Sequence, residues 1–318
     1  MPRYLVTGAA GNLARQLVGA LVEGGNEVLQ LDLSRPPQQP TDAAFEICDI
    51  TDRPHLTAVL DRFQPECVLH MASMLSRSSE ENPERAWQVN ATASIHLLRD
   101  AMERGVQRFF FPSTNATYAG DIADPMPEDQ AQWPTLIYGV TKVVVERMGV
   151  YLHAKTGFDF RAVRLPIVLS PYAPRGAATA YASHAFLAAT RGEEFVFPVT
   201  PAQTASSIYV RDVIDGVLRL LAADSDKLTQ RIYNLHAFAP SVLQVANAIV
   251  ERVPGFSFRY EPDVMAMDMI DPLPHVIVDA SARADWGWAP RFDLAATADD
   301  MLATLRGNGG NSSNGSNS

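Results

Sequence analysis

An α/β fold built on a doubly wound parallel sheet, with a smaller C-terminal subdomain, is predicted by three features of the sequence. Short β-rich runs alternate with helical patterns, and a Gly-rich turn joins the first run to the first helix. One run, Phe109-Phe110-Phe111, is apolar without alternation, as a strand covered on both faces must be. Alternating strands and helices imply βαβ units, because parallel neighbours need a crossover connection.

Strands are predicted at Arg3–Thr7, Glu27–Asp32, residues 67–71 and residues 108–112, with a third strand just before Cys48. Helical periodicity starts near Asn12 and recurs over Arg53–Phe63, residues 83–104 and residues 136–156. Beyond Ser170 the pattern turns irregular, with a Pro/Gly/Ala-rich stretch at 171–180, before helices resume near Arg211 and Pro240. Residues 307–318 are only Gly, Asn and Ser, which bury no apolar surface, so a flexible tail is expected there.

With 47% hydrophobic and 19% charged residues, the 318-residue chain is apolar enough to pack instead of remaining disordered. A formal net charge of -10, with Arg scattered instead of grouped, opposes a phosphate backbone and argues against nucleic acid as a partner. No apolar run approaches the roughly 18 residues of a membrane span, so no membrane is expected. Cys48 and Cys67 lie in apolar strand-like settings without CxxC spacing or a secretory signal, which points to a reduced, cytoplasmic protein. The seven His residues show no metal-ligand spacing, with His70 in a buried strand and His96 on a helix, so no metal is expected. His184 reads as a packed or surface helix residue, and Trp286 and Trp288 as core anchors.

The turn Thr7-Gly8-Ala9-Ala10-Gly11-Asn12-Leu13-Ala14 opens straight into the first helix. Gly8 permits the tight turn, Gly11 a close backbone approach and Ala14 close helix packing, while free N–H groups at the helix start attract a pyrophosphate. Asp32 ends the second strand about 20 residues on, where a carboxylate hydrogen-bonds both ribose hydroxyls and repels a 2′-phosphate. That favours NAD over NADP, although Arg35 stands near enough to accommodate a phosphate in part. Asp49 follows the third strand, placed either to bind the adenine amino group or as a solvated loop residue. These features make residues 1–169 a Rossmann-type NAD-binding domain, to which some later segments return, and residues 170–306 mainly a substrate-binding subdomain.

Tyr138 and Lys142 stand four residues apart, on one face of a helix. A phenol that ionises near pH 10 is a poor base, but an adjacent ammonium and a positive nicotinamide favour its phenolate. Thr114, at the end of the buried Phe strand, is placed to donate to a substrate oxygen or to cap the strand end.

In this order and spacing, Gly8-x-x-Gly11-x-x-Ala14, Asp32, Ser113-Thr114 with Tyr118 and Tyr138-x-x-x-Lys142 resemble the extended short-chain dehydrogenase/reductase superfamily, over about residues 3–306. Met74-Leu75-Ser76, Glu81-Asn82-Pro83, Ala86-Trp87, Asn90, Ile137-Tyr138-Gly139-Val140-Thr141-Lys142, Gly157-Phe158-Asp159-Phe160-Arg161 and Asp285-Trp286-Gly287-Trp288 are similar to the short-chain type of L-threonine 3-dehydrogenase. The resemblance implies that Tyr138 removes the hydroxyl proton, Thr114 orients that oxygen and Lys142 also holds the nicotinamide ribose. Ser76 and Thr179, together with Thr114 and Tyr138, are then expected to contact substrate. Cofactor contacts are expected from Gly8, Gly11, Asn12, Leu13, Asp32, Asp49 and Ile50, from Met71, Ala72, Ser73 and Asn90, and from Tyr138, Lys142, Leu165 and Ile167. The helices at 83–104 and 136–156, the latter carrying Val143-Val144-Val145, are those that commonly build a homodimer in the superfamily.

Two departures bear on the substrate. Where the family usually has GGGTTDYA, this chain has Arg175-Gly176-Ala177-Ala178-Thr179-Ala180-Tyr181-Ala182, and Leu273-Pro274 replaces a usual Trp-Pro. Lost hydrogen-bonding groups shift discrimination among polar ligands. The expected activity is therefore NAD-dependent oxidation of the 3-hydroxyl of L-threonine or a related 3-hydroxy acid. The alternative is a nucleotide-sugar epimerase or dehydratase acting on a sugar nucleotide with the same Tyr and Lys. A non-catalytic NAD-sensing protein on the same fold is a third reading, disfavoured by the complete Thr, Tyr and Lys set.

Overall fold

Seven parallel strands form the central sheet of the computed structural model, which describes residues 1–36, 41, 43–174 and 178–311. The first βαβ units run β1 (Arg3–Thr7), α1 (Asn12–Glu23), β2 (Glu27–Asp32), β3 (Ala44–Ile47), α2 (Arg53–Phe63) and β4 (Cys67–His70). Next come α3 (Ser76–Glu81), α4 (Pro83–Ala86), α5 (Ser94–Glu103), β5 (Arg108–Thr114), α6 (Ile137–Thr156), β6 (Asp159–Leu165) and β7 (Ile167–Leu169). The remainder comprises α7 (Tyr181–Arg191), β8 (Phe195–Phe197), β9 (Ser207–Tyr209), α8 (Val210–Ala222), β10 (Ile232–Asn234) and α9 (Val242–Val250). It ends with β11 (Phe258–Tyr260), α10 (Val264–Ile270), α11 (Ala280–Trp286) and α12 (Leu294–Asn311).

The sheet order is β10-β6-β5-β4-β1-β2-β3. It reverses between β1 and β4, so the connections after these two strands leave to opposite faces and open a crevice at their carboxyl ends. The Phe run shows why both faces are covered: Phe109 and Phe111 pack with α2, α5 and α6, while Phe110, one residue out of phase, packs with α1 and α8. A third apolar cluster unites α7, α9, α10 and α12 beyond the sheet. Trp286 and Trp288 are buried in the α1/α8 layer. The Trp288 indole donates to Asp279 at 2.7 Å and lies so close to α8 that a Cβ on Gly216 would come within 2.8 Å of its ring.

Three details differ from expectation. The helical stretch from residue 83 contains a π-helical segment, Trp87–Ala93, between α4 and α5. The predicted strand at 108–112 continues to Thr114, carrying that residue on the β5 ladder opposite Leu165. Finally, α12 runs through Asn311, five residues into the Gly/Asn/Ser stretch expected as tail; residues 312–318 lie outside the described residues.

Candidate active site

The crevice holds a cavity of about 710 Å³ that runs from the β1–α1 turn, past the ends of β4 and β5, to α10. Gly8 turns with φ +65°, and a Cβ there would lie 2.5 Å from the Ala72 backbone, so the turns after β1 and β4 touch because residue 8 has no side chain. Gly11 donates to the Gly8 carbonyl at 3.0 Å and caps α1 without a side-chain acceptor. No acidic residue occupies the first turn of α1. Its free N–H groups and dipole therefore suit an anion. Asp32 is held by the backbone: Oδ2 accepts the Ala10 N–H at 2.9 Å and Oδ1 the Leu33 N–H at 2.7 Å. Each oxygen keeps lone-pair capacity for a hydroxyl. Arg35 instead donates to the Phe45 carbonyl at 3.1 Å and stacks 5.0 Å over that ring.

Asp49 lines the cavity with much of its carboxylate engaged. Oδ1 takes the Thr51 N–H and hydroxyl at 2.8 and 2.7 Å, and Oδ2 pairs with Arg85 at 3.0 Å. Burial raises its pKa, but these partners outweigh burial and hold it below the ordinary carboxylate value. Asn12, Leu13, Ile50, Met71, Ala72, Ser73, Leu165 and Ile167 also line the wall. Asn90 does not. It is buried, its Oδ1 accepting the Met74 N–H at 2.8 Å and its Nδ2 donating to the Met74 carbonyl at 3.0 Å, so it fixes the loop after β4 from behind.

Thr114, Tyr138 and Lys142 converge on the wall beyond that loop. Gly139 makes the approach possible, since a Cβ there would fall 2.1 Å from the Ala116 carbonyl oxygen. Glu80 secures the start of α6 by accepting the Ile137 N–H at 2.7 Å. The Thr114 Oγ1 accepts the Ala116 N–H at 3.1 Å, so the strand-end cap and the cavity-facing hydroxyl are one group, with its proton left to donate. Lys142 Nζ donates to the Pro112 carbonyl at 2.8 Å and sits 4.4 Å from the Phe111 ring centroid and 5.5 Å from that of Tyr138.

Burial pushes the Tyr138 phenol up to about 12. Burial also brings the Lys142 ammonium down to about 7, against an opposing pull from Glu146. Both groups share one desolvated wall, where the charged form of each is disfavoured until an opposite charge is supplied.

Sequence reasoning missed the support behind this pair. Glu146, one turn beyond Lys142, is buried and bonded to Ser113, to Gln132 at 3.0 Å and to Arg164 at 2.7 Å. Arg164 reaches on to the Tyr118 hydroxyl at 2.6 Å, which donates to Asn234 at 3.2 Å. The i, i+4 spacing from Lys142 was the available signal for Glu146. Asn115, next to Thr114, was also missed; it lines the cavity, is buried, and its Nδ2 has no partner among the described residues.

Ser76 and Thr179 line the far end beside Leu75, Pro174, Ala180, Met269 and Leu273. Arg175, Gly176 and Ala177 lie outside the described residues. Among the described lining residues the cations are Arg85 and Lys142. His70 is a core residue, bonded to Thr7 and Ser94 at 2.7 Å each. The described residues contain no group of three or more His, Cys, Asp or Glu placed to hold a metal, and no helix long and apolar enough to cross a membrane.

Comparison with known proteins agrees with this geometry. The model of the NAD dependent epimerase/dehydratase family matches residues 4–235. An uncharacterized epimerase/dehydratase of Staphylococcus haemolyticus (strain JCSC1435) is 33% identical over 96% of this chain and 98% of its own. Among solved structures, the holo form of a GalE-like L-threonine dehydrogenase from Cupriavidus necator superposes with a TM-score of 0.91 at 33% identity, covering 96% of this chain and 100% of that one. A monomeric L-threonine 3-dehydrogenase from a metagenome gives 0.91 at 31% identity, over 96% and 99% of the two chains. The chain belongs to the NAD dependent epimerase/dehydratase family of enzymes, and that family and its holo neighbour imply a nicotinamide cofactor.

Proposed function

We propose that this enzyme oxidises the 3-hydroxyl of L-threonine, or of a related 3-hydroxy acid, with NAD as cofactor and Tyr138 as base. The observation that carries the reading is the convergence of Thr114, Tyr138 and Lys142 on one cavity whose other end offers an uncapped helix start and the Asp32 carboxylate. The solved L-threonine dehydrogenases similar to this chain support the substrate class.

Gly8, Gly11 and the start of α1 would hold the pyrophosphate, Asp32 the ribose hydroxyls, and Asp49 with Ile50 the adenine end, while Lys142, Leu165 and Ile167 would flank the nicotinamide half. When bound, the oxidised cofactor supplies the hydride acceptor and a positive charge beside Tyr138. Thr114 donates to the substrate hydroxyl oxygen and Tyr138 accepts its proton. Lys142, held by the Pro112 carbonyl, and the cofactor's positive charge would stabilise the phenolate form of Tyr138 that takes up this proton and becomes the neutral phenol. Ser76 and Thr179 stand at the far end to meet the rest of the substrate. A sugar nucleotide fits less well: it would bring a second diphosphate beside the one at the start of α1, and the cations among the described lining residues, Arg85 and Lys142, are engaged with Asp49 and Pro112.

Purified protein incubated with NAD and L-threonine, other 3-hydroxy acids or sugar nucleotides tests the reading. Net NADH from a hydroxy acid is the expected result. An isomerised sugar nucleotide without NADH would establish the epimerase alternative. We further propose a cytoplasmic homodimer. Cys48 and Cys67 are free, buried thiols that suit a reducing compartment, and the outer face of the predicted interface helices exposes Trp87, Val150 and Tyr151. Sedimentation at micromolar concentration should give twice the chain mass; a monomer, as in the metagenomic relative, would refute the dimer.

A further inference from the structure

Asn115 lies in the wall of the reaction cavity, immediately after Thr114, and is 3% exposed. Its Nδ2 has no hydrogen-bond partner among the described residues. Buried amides are ordinarily satisfied, because a desolvated donor left unmet costs free energy. The contrast within this protein is direct. Asn90, equally buried, bonds the Met74 backbone through both ends of its amide, and Asn12 on the same wall accepts from Gln16 and Ser170. The neighbours of Asn115 are also settled: Thr114 takes the Ala116 N–H, and Ser113 bonds Glu146.

Resting on the dehydrogenase reading above, we propose that Asn115 determines substrate specificity by donating its amide to an sp² oxygen, carboxylate or carbonyl, of the substrate. The placement fits a 3-hydroxy acid. With its hydroxyl at Thr114 and Tyr138, such a molecule carries its carboxyl two carbons from the reacting carbon, within reach of the residue beside Thr114. The cations of the described wall, Arg85 and Lys142, are engaged elsewhere, which leaves that oxygen to uncharged donors among the described residues. An unanswered donor also selects: a substrate lacking the oxygen leaves the amide desolvated and unpaired, which is how buried polar groups discriminate strongly.

The test compares Asn115→Ala and Asn115→Asp with the parent on L-threonine, L-threonine amide and 1-amino-2-propanol, which keeps hydroxyl and amine but lacks the sp² oxygen. Asn115→Ala should lower kcat/KM on the first two by roughly 10- to 100-fold and change the third little. Asn115→Asp should hurt L-threonine more than its amide, because the new carboxylate repels the threonine carboxylate and not the neutral amide. Thermal stability should not fall and NAD affinity should hold, since the Nδ2 loses no partner among the described residues and an unmet buried donor is removed. A uniform loss on all three compounds, or none, overturns the proposal. Calorimetry with the same compounds on NAD-loaded Tyr138→Phe protein separates this from failure of the dehydrogenase reading. If none of the compounds yields NADH, that reading fails, while a binding preference for threonine over 1-amino-2-propanol that disappears with Asn115→Ala still supports the Asn115 contact. Absence of such a preference overturns it.

Discussion

At the end of the cavity beneath β1 and β2, the polar side chains are met by the protein, and the N–H groups at the start of α1 are left for a ligand. Asp32 takes two backbone N–H groups, Asp49 is shared by Thr51 and Arg85, and Thr7, His70 and Ser94 close a buried chain just behind. At the end toward α10 the wall is mainly Leu75, Pro174, Ala180, Met269 and Leu273, and the buried Asn115 amide has no partner among the described residues. The first end is organised by the fold before any ligand arrives, as suits a cofactor common to a whole family. The second leaves its polarity to be completed by the substrate, so it can vary with little cost to folding.

The boundary between the two ends is Tyr138, and altering it gives the largest effect. Tyr138→Phe should retain fold and NAD binding while kcat falls by about 10² or more, the size typical of a lost general base. Lys142→Met should damage rate and NAD affinity together. Steady-state kinetics with a parallel NAD titration checks both; near-normal turnover by the Phe variant would remove the base and with it the distinction between the ends. Gly139→Ala comes next. A methyl group 2.1 Å from the Ala116 carbonyl must push α6 away from the turn that holds Thr114 and Asn115. We expect roughly 1–3 kcal/mol of destabilisation and lower kcat, read by denaturant unfolding and kinetics. Asp32→Ala acts on the cofactor end alone, weakening NAD much more than NADP and shifting their affinity ratio by about tenfold, the worth of ~1.4 kcal/mol of hydrogen bonding and like-charge repulsion. Equal dissociation-constant ratios in parent and variant would show that another group discriminates the cofactors.

The same contrast explains what the sequence made legible. Gly8, Gly11 and Asp32 belong to one βαβ unit, and Tyr138 and Lys142 to one helical turn, so their geometry follows from spacing along the chain. The Phe109–Phe111 run declared a doubly covered strand for the same local reason. Asn90 matched a motif, but its place behind the wall depends on Met74, contributed by a different segment. Glu146 and Arg164 meet because α6 packs on β6, and the Asn115 Nδ2 is unmet because no described segment brings it an acceptor. The three-residue strands β7 to β11 are too short to carry a period, so the second half read as irregular.

The smallest expected effect asks whether the cofactor end is as self-sufficient as its hydrogen bonds imply, and it is seen in stability instead of turnover. His70 lies between Thr7 and Ser94 at the end of β4, and burial, reinforced by Lys142, brings its pKa down to about 3. An unfolded chain protonates the same imidazole near pH 6.5. Above that pH neither state carries the extra proton and stability is intact. As pH falls below it, the unfolded state takes up a proton that the folded state refuses until about pH 3, so stability declines across that window. The loss is about 1 kcal/mol near pH 6 and steepens toward ~1.4 kcal/mol per pH unit below it. Denaturant unfolding of the parent and of His70→Asn, which cannot titrate, isolates this proton from the carboxylates that also respond to acid. The variant should start less stable at pH 7.5, because Thr7 and Ser94 lose their partner, yet follow a pH curve shallower by about one proton between pH 6 and 4. Parallel curves would mean that His70 is protonated in the folded protein, and the end of the cavity that looks complete would then hold a charge its neighbours do not neutralise.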